Sequence, residues 1–297
     1  MSRGSRPAAA RLPEPVRVAL LLTPALLVVG VFFVGGLTQG VLQSLGREPF
    51  VGDSTWSLAA YREVFTDPAF AASLRLTARV ALLSTLFATV LGVALALLVR
   101  RVGGRRTMTG LFQSTLAVPH LVGALSIGLL LAPSGLLSRA GYAVGLVDSA
   151  RDVPALTQDA FGWGIVAEYT WKETPFLAVV ALAALSRRVA DLEDVARTLG
   201  AGRRQRFRQV TAPLLAPPVA AASVLVLAFA SASYEVPRLL GRPYPAMLSV
   251  EAFTRFRDPD LTSRPEALAI ATVVAALTLV AALAYWRLGG RLVGRRL

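Results

Sequence analysis

The stretch DLEDVARTLGAGRRQRFRQVTAPL, residues 191–214, stands between two apolar runs, each long enough to cross a membrane. It interrupts, with five arginines, a chain of 297 residues that is 55% hydrophobic and 16% charged. Asp191 can cap a helix, with Glu193 and Asp194 in its first turn near the positive end of the helix dipole. Leu192, Val195, Ala196 and Leu199 recur at i, i+3, i+4 and i+7, which gives one apolar stripe. Gly200 and Gly202 end this helix, where a positive φ is cheap. RRQRFRQV then starts a second short helix with Phe207 and Val210 on one side, and Pro213 opens the next apolar run. Read by composition, the segment either rests on lipid headgroups or presents a helix to a groove on a soluble partner.

The surroundings decide what kind of chain carries it. Mean hydropathy is +0.58, and a soluble domain of this length carries about 25% charged residues. The fold class expected is all-α, a polytopic membrane helix bundle with six transmembrane helices. The spans run roughly over Val18–Leu37, Ser73–Val99, Thr109–Ala132, Trp163–Leu185, Pro213–Tyr234 and Ala267–Trp286. No small-x-small site closely follows the first run, which therefore reads as a retained signal anchor. Nineteen arginines fall on one side of these spans, in the head (Arg3, Arg6, Arg11, Arg17) and in segments 100–106, 187–208 and 287–296. Nine fall on the other side, and this split places both termini and the 186–212 segment in the cytoplasm. The expected organisation is a tail over 1–17, a first helix and outer loop over 18–72, a five-helix core over 73–286 and a tail over 287–297. The segments facing outward are long enough for short helices.

Several function classes drop out. There is no cysteine, so thiolate metal sites and Cys nucleophiles are excluded. Lys172 is the one lysine, in YTWKETPF, with no glycine loop around it, so the chain has no Walker A site of its own. The net charge of +13 follows membrane orientation, and no nucleic-acid partner is expected. No cofactor, metal or catalytic group is expected. His120 is the one histidine and reads as a packing or gating residue.

The charges inside the spans are the other candidates. Lys172 lies about 14 Å into its span at ~1.5 Å per residue, where an ionised lysine needs a partner. Glu168, four residues earlier, is the nearest acid; Glu173 faces elsewhere, and Glu235 closes the fifth span. Glu168, Lys172, Glu173 and Glu235 either line a polar pathway or pair helices. Pro175 suggests a kink. Arg75 and Arg79 read as snorkelling cations or partners of an acid. Trp163 and Trp286 sit at span ends, as an aromatic belt would.

The opening stretch also resembles the cytoplasmic EAA loop of binding-protein-dependent ABC importer permeases, E-A-A-x3-G-x9-I-x-L-P. Here the pattern reads Asp194, Val195, Ala196, then Gly200, then Val210, Ala212 and Pro213. Glycine and proline match in spacing, and four letters depart conservatively. The resemblance implies a type I importer permease over about residues 70–290, coupled through this loop to a cytoplasmic ABC ATPase. It further implies a second permease subunit, an extracytoplasmic solute-binding protein and a bacterial inner-membrane location. YTWKETPFLAVVALAALSRR and the 233–271 segment resemble the polyamine, opine and phosphonate branch, which implies polyamine uptake. An ion-coupled carrier would need inverted repeats, which are not seen, and a membrane-bound enzyme would need more than one histidine or paired carboxylates.

Overall fold

The apolar runs all fold as helix, but not always where the hydropathy alone draws the boundaries. The computed structural model describes residues 13–47, 54–102, 105–149 and 152–294, with the backbone alone for 105–106, 286 and 288–294. Arg3, Arg6, Arg11, Arg151, Arg295 and Arg296 of the charge census lie outside the described residues.

The first rod runs through α1 (Glu14–Val29), a π turn (Gly30–Val34) and α2 (Gly35–Ser44). Two helices follow, α3 (Ala59–Thr66) and the 35-residue α4 (Pro68–Val102). Next come α5 (Arg105–Leu116), α6 (His120–Leu131), α7 (Leu136–Ala143) and α8 (Trp163–Ala184). The 191–214 stretch lies in α9 (Arg187–Thr198), α10 (Arg203–Arg206), a π turn (Phe207–Thr211) and α11 (Ala212–Ala232). The chain closes with α12 (Glu235–Leu240), α13 (Leu248–Phe256), a 3-10 turn (Leu261–Ser263) and α14 (Arg264–Gly294). Among the described residues there is no strand. The short helices α3, α7, α12 and α13 occupy the segments expected to hold them.

Among the described residues, five segments are long and apolar enough to cross a membrane: Glu14–Ser44, Pro68–Val102, His120–Ala143, Arg203–Ala232 and Leu261–Tyr285. The fourth of the six expected spans, α8, has the length at 22 residues but carries Glu168, Lys172 and Glu173. Two spans differ from expectation in kind. The third is broken at 117–119, because Pro119 has no N–H to donate and holds Val118 away from helical geometry. The fifth begins ten residues before Pro213, at Arg203, so RRQRFRQV is the foot of one rod rather than a separate helix. Pro213 leaves the Gln209 carbonyl without its helical donor, and the turn before it widens into the π form.

Small residues set the packing. A Cβ on Gly92 of α4 would lie 2.8 Å from the Leu177 side chain and 3.0 Å from backbone of α8, so glycine is what lets these two helices touch along their length. One layer of core joins α4, α6, α8, α11 and α12 through Val80, Ala124, Ile165, Tyr169, Ala230 and Leu240. A second joins α4, α5, α8, α9 and α11 through Val99, Phe112, Ala181, Leu185, Val189 and Leu215. The two layers sit at opposite ends of the bundle, the second beside α9. At the end remote from α9, Arg255 of α13 binds Asp67 (2.6 Å), Glu251 (2.7 Å) and Glu266, which locks α13 to the start of α4 and to α14. No residue in the apolar window of Glu14–Ser44 is buried by the rest of the chain.

Candidate functional site

The α9 segment is built from its C-terminal end. Gly200 has φ +83°, and the Ala201 and Gly200 amides donate to the Ala196 and Arg197 carbonyls at 3.0 Å each. This is a Schellman ending, as the glycine predicted. The other end differs from expectation: the helix starts at Arg187 with Ser186 at the N-cap, so Asp191 is in the second turn and caps nothing. The helix begins earlier because Val189 is buried against the core and pulls the first turn in.

The stripe read from the sequence is an exposed one. Leu192, Val195 and Leu199 are 41%, 56% and 82% exposed, while Ala196 is half-buried. Asp194 is exposed and pairs with Arg197, its neighbour one turn on, at 3.0 Å. Nothing lies within 4 Å of a Cβ placed on Gly200. Val210 and Pro213 are half-buried at and just after the π turn, on the rod behind α9.

Glu193 is what the sequence reading missed. Both its oxygens accept from Arg100 at the end of α4, at 3.0 and 2.8 Å, and one also accepts from the Thr211 hydroxyl in the π turn. Burial pushes this carboxyl up, but the Thr211 and Arg100 contacts outweigh it and hold it below the usual carboxylate range. One acid thus ties three helices together, and its neighbour Asp194 is left facing outward. No local signal marks it, since Arg100 is 93 residues away.

The second site lies where the third span breaks. Lys172 does not pair with Glu168. Its ammonium donates to the carbonyls of Thr115 (2.9 Å) and Val118 (2.5 Å), the backbone acceptors that the break exposes. Lys172 is 2% exposed, and Glu168 is fully buried. Glu168 instead meets His120 Nδ1 at 3.1 Å, and His120 Nε2 faces Glu173 at 3.4 Å. The expectation that Glu173 points away from this group is therefore corrected. The imidazole lies 4.7 Å from the Phe229 ring, inclined to it at 40°. Glu168 sits against bare backbone, since a Cβ on Gly123 would come 2.8 Å from its Oε1. Its Oε2 is buried and has no hydrogen-bond partner among the described residues. Pro175 does not interrupt α8, which runs through it.

The remaining candidates stand apart. Glu235 is exposed at the start of α12, beyond the end of α11, and makes no ion pair with this cluster. Arg79 stacks on Phe161 at 4.5 Å rather than meeting an acid, and Arg75 is exposed. Trp163 is exposed at the start of α8, as a belt residue would be, whereas the Trp286 side chain lies outside the described residues. A left-handed Gly162 and the Asp159 carboxylate, which accepts from the amides of residues 161–163, shape the turn that leads into α8.

A helical bundle with a glycine-ended, exposed helix just ahead of its last two long rods defines a class of membrane transport component. Residues 88–293 match the family described as binding-protein-dependent transport system inner membrane component, and the chain belongs to that family. It is 28% identical over 222 residues to the trehalose/maltose transport system permease protein MalF of Thermococcus litoralis, over 69% of this chain and 70% of that one. It is 32% identical over 207 residues to a probable molybdenum ABC transporter permease of Haloferax volcanii, over 68% of this chain and 71% of that one. The fold matches a chain of a bacterial ABC transporter involved in import of the acidic polysaccharide alginate, with TM-score 0.75 and 21% identity over 94% of this chain and 98% of that one. The same transporter in complex with an alginate pentasaccharide-bound periplasmic protein matches with TM-score 0.73 and 21% identity, over 94% and 96% of the two chains. The chain is a permease subunit of an ABC importer, and ATP hydrolysis lies on a separate subunit.

Proposed function

We propose that α9 is the element through which this permease is driven. The Leu192, Val195 and Leu199 stripe docks into a groove on a cytoplasmic ATPase subunit, with Asp194 and Gly200 at its rim. Glu193 anchors the helix from behind, through Arg100 to α4 and through Thr211 to the rod that continues into α11. Val210 and Pro213 belong to that rod, so movement of the docked helix reaches a membrane span directly. One observation carries the reading: an apolar stripe left open on a helix that is otherwise held by a half-buried anchor and a Schellman end. The arginine split supports α9 and both termini lying in the cytoplasm. The binding-protein complex among the fold relatives supports delivery by an extracytoplasmic solute-binding protein, with a second permease subunit completing the pathway.

The natural chain has no cysteine, so an introduced one is unique. Leu199→Cys in the assembled transporter is expected to crosslink to the ATPase subunit, and Leu261→Cys is not. Equal crosslinking from both positions refutes the docking.

For the solute, we propose a small polycation such as a polyamine. Support comes from the acids Glu168 and Glu173 at the broken span, and from a lysine whose charge is already taken up by backbone carbonyls. A sugar or oxyanion is the second reading, favoured by the names that the relatives carry. Solute-stimulated ATP hydrolysis with the cognate binding protein separates the two, and stimulation by maltose or molybdate but not spermidine removes the first.

A further inference from the structure

A cleft of about 730 Å³ opens at the α9 end, between the last turn of α4 and the foot of the rod that begins at Arg203. Its walls are of two kinds. Leu97, Leu98 and Phe207 form an apolar part next to the spans, and Leu98 and Phe207 are 53% and 43% exposed. Arg100, Arg101, Arg203, Arg204 and Arg206 form the rest, with Glu193 among them. Glu193 is bound bidentately by Arg100 and, beyond it, faces Arg206, so one carboxylate stands against five guanidinium groups. Arg206 lends this field a specific hook, because its Nη1 is buried and without a hydrogen-bond partner among the described residues.

We propose that this cleft seats the headgroup of an anionic phospholipid. The phosphate lies among Arg203, Arg204 and Arg206, and the first methylenes of an acyl chain lie on Leu98 and Phe207. Guanidinium groups bind phosphate oxygens through paired N–H donors, and four arginines crowded together gain from an anion that spreads its charge. A soluble anion or an acidic protein side chain would satisfy the arginines and leave the apolar wall wet. An amphiphile satisfies both walls at once. The position fits, since the cleft spans the level at which apolar span residues give way to arginine, where headgroups lie. Bound there, the lipid bridges the end of α4 to the foot of α11 beside the Arg100–Glu193 contact. The inference needs this end of the bundle to lie at a membrane surface, and it does not depend on α9 docking an ATPase or on which solute is carried.

The test uses the assembled transporter, delipidated in detergent, and reads lipid retention by native mass spectrometry together with the thermal unfolding midpoint. Dioleoyl phosphatidylglycerol is expected to be retained about fivefold or more over dioleoyl phosphatidylcholine, and to raise the midpoint where the zwitterionic lipid does not. The triple change Arg203→Gln, Arg204→Gln, Arg206→Gln should bring that ratio close to one. Equal retention of the two lipids by the natural chain, or an unchanged ratio in the triple variant, overturns the proposal. Glycerol 3-phosphate supplies the same phosphate without chains and is expected to leave the midpoint unmoved; a matching rise would assign the cleft to a soluble phosphate instead. Should the triple variant fail to assemble, Leu98→Asn keeps every charge in place and is expected to lower phosphatidylglycerol retention several-fold. Full retention in that variant refutes the amphiphile.

Discussion

Two helix interruptions, a few turns apart in the bundle, solve one problem by different means. At Gly200 the chain turns beyond the long rods, and the exposed carbonyls are met locally: a left-handed glycine folds two amides back onto the helix end. At Val118–Pro119 the chain turns beside the buried Lys172 and Glu168, and the half-buried carbonyls of Thr115 and Val118 are met by a lysine from another helix. Where solvent is at hand, one permissive residue is enough. Where the turn lies against the core, a charged group is brought in, and its own burial is offset because two carbonyl dipoles face it.

The sharpest way to break this comparison is to remove the lysine. Lys172→Met leaves two half-buried carbonyls short of a donor, at up to about 1–3 kcal/mol for each group left unsatisfied. The expected outcome is the largest of this set: a severe fall in membrane abundance on quantitative blots. Adding Glu168→Gln should bring no recovery, because Glu168 serves His120 and not Lys172. Recovery in the double variant would restore the lysine–glutamate pair and end the carbonyl-capping account. The second test moves to the exposed turn. Gly200→Val forces a β-branched residue to φ +83°, at a cost of order 1–3 kcal/mol. It should insert normally yet lose most solute-stimulated ATP hydrolysis. Gly200→Asn, which tolerates this φ and meets open space, should retain it. Equal activity in the two would remove the turn from coupling.

A smaller effect is expected behind α9. Arg100→Gln loses a half-buried bidentate ion pair, on the order of 1 kcal/mol. It should raise amide hydrogen exchange over 187–198 without changing exchange in α8. Unchanged exchange in both would show that the core contact of Val189 alone holds the helix. The smallest effect is in pH. Glu193 is held below its ordinary range in the folded chain, so its contribution is complete above the unfolded carboxylate pKa and fades as pH falls through the folded value. Protection of the 187–198 amides, taken relative to their intrinsic exchange rates at each pH, should therefore fall on acidification in the natural chain and stay flat in Glu193→Gln.

The same contrast explains what the sequence made legible. The Gly200 ending and the Leu192–Leu199 stripe are local, set by residues within two turns, and both were readable from spacing. The Lys172 partners lie 54 and 57 residues away and are backbone atoms, which no residue type announces. His120 could have been suspected, because Pro119 precedes it and Glu168 and Glu173 share one helix. Glu193 was read as a dipole-friendly acid, and only the fold shows that it meets Arg100. The early start of the fifth rod escaped because hydropathy fails to count arginines whose backbone is helical.

That early start has a mechanical consequence. From Arg203 to Ala232 the chain is one helical rod of 30 residues, about 45 Å at 1.5 Å per residue. Near two-thirds of its length the Ser223 hydroxyl meets Thr89 of α4 at 2.8 Å. With that contact as fulcrum, the foot is an arm of about 30 Å and the far end one of about 14 Å. A push at Arg203 thus arrives beyond Ser223 reversed in direction and roughly halved in size. There the Ser233 carbonyl accepts from Ser249 of α13, so the rod's tip takes the locked end of the bundle with it. Turned about that contact, the rod would act as a gear: a coarse stroke at one end would become a fine, opposite one at the other.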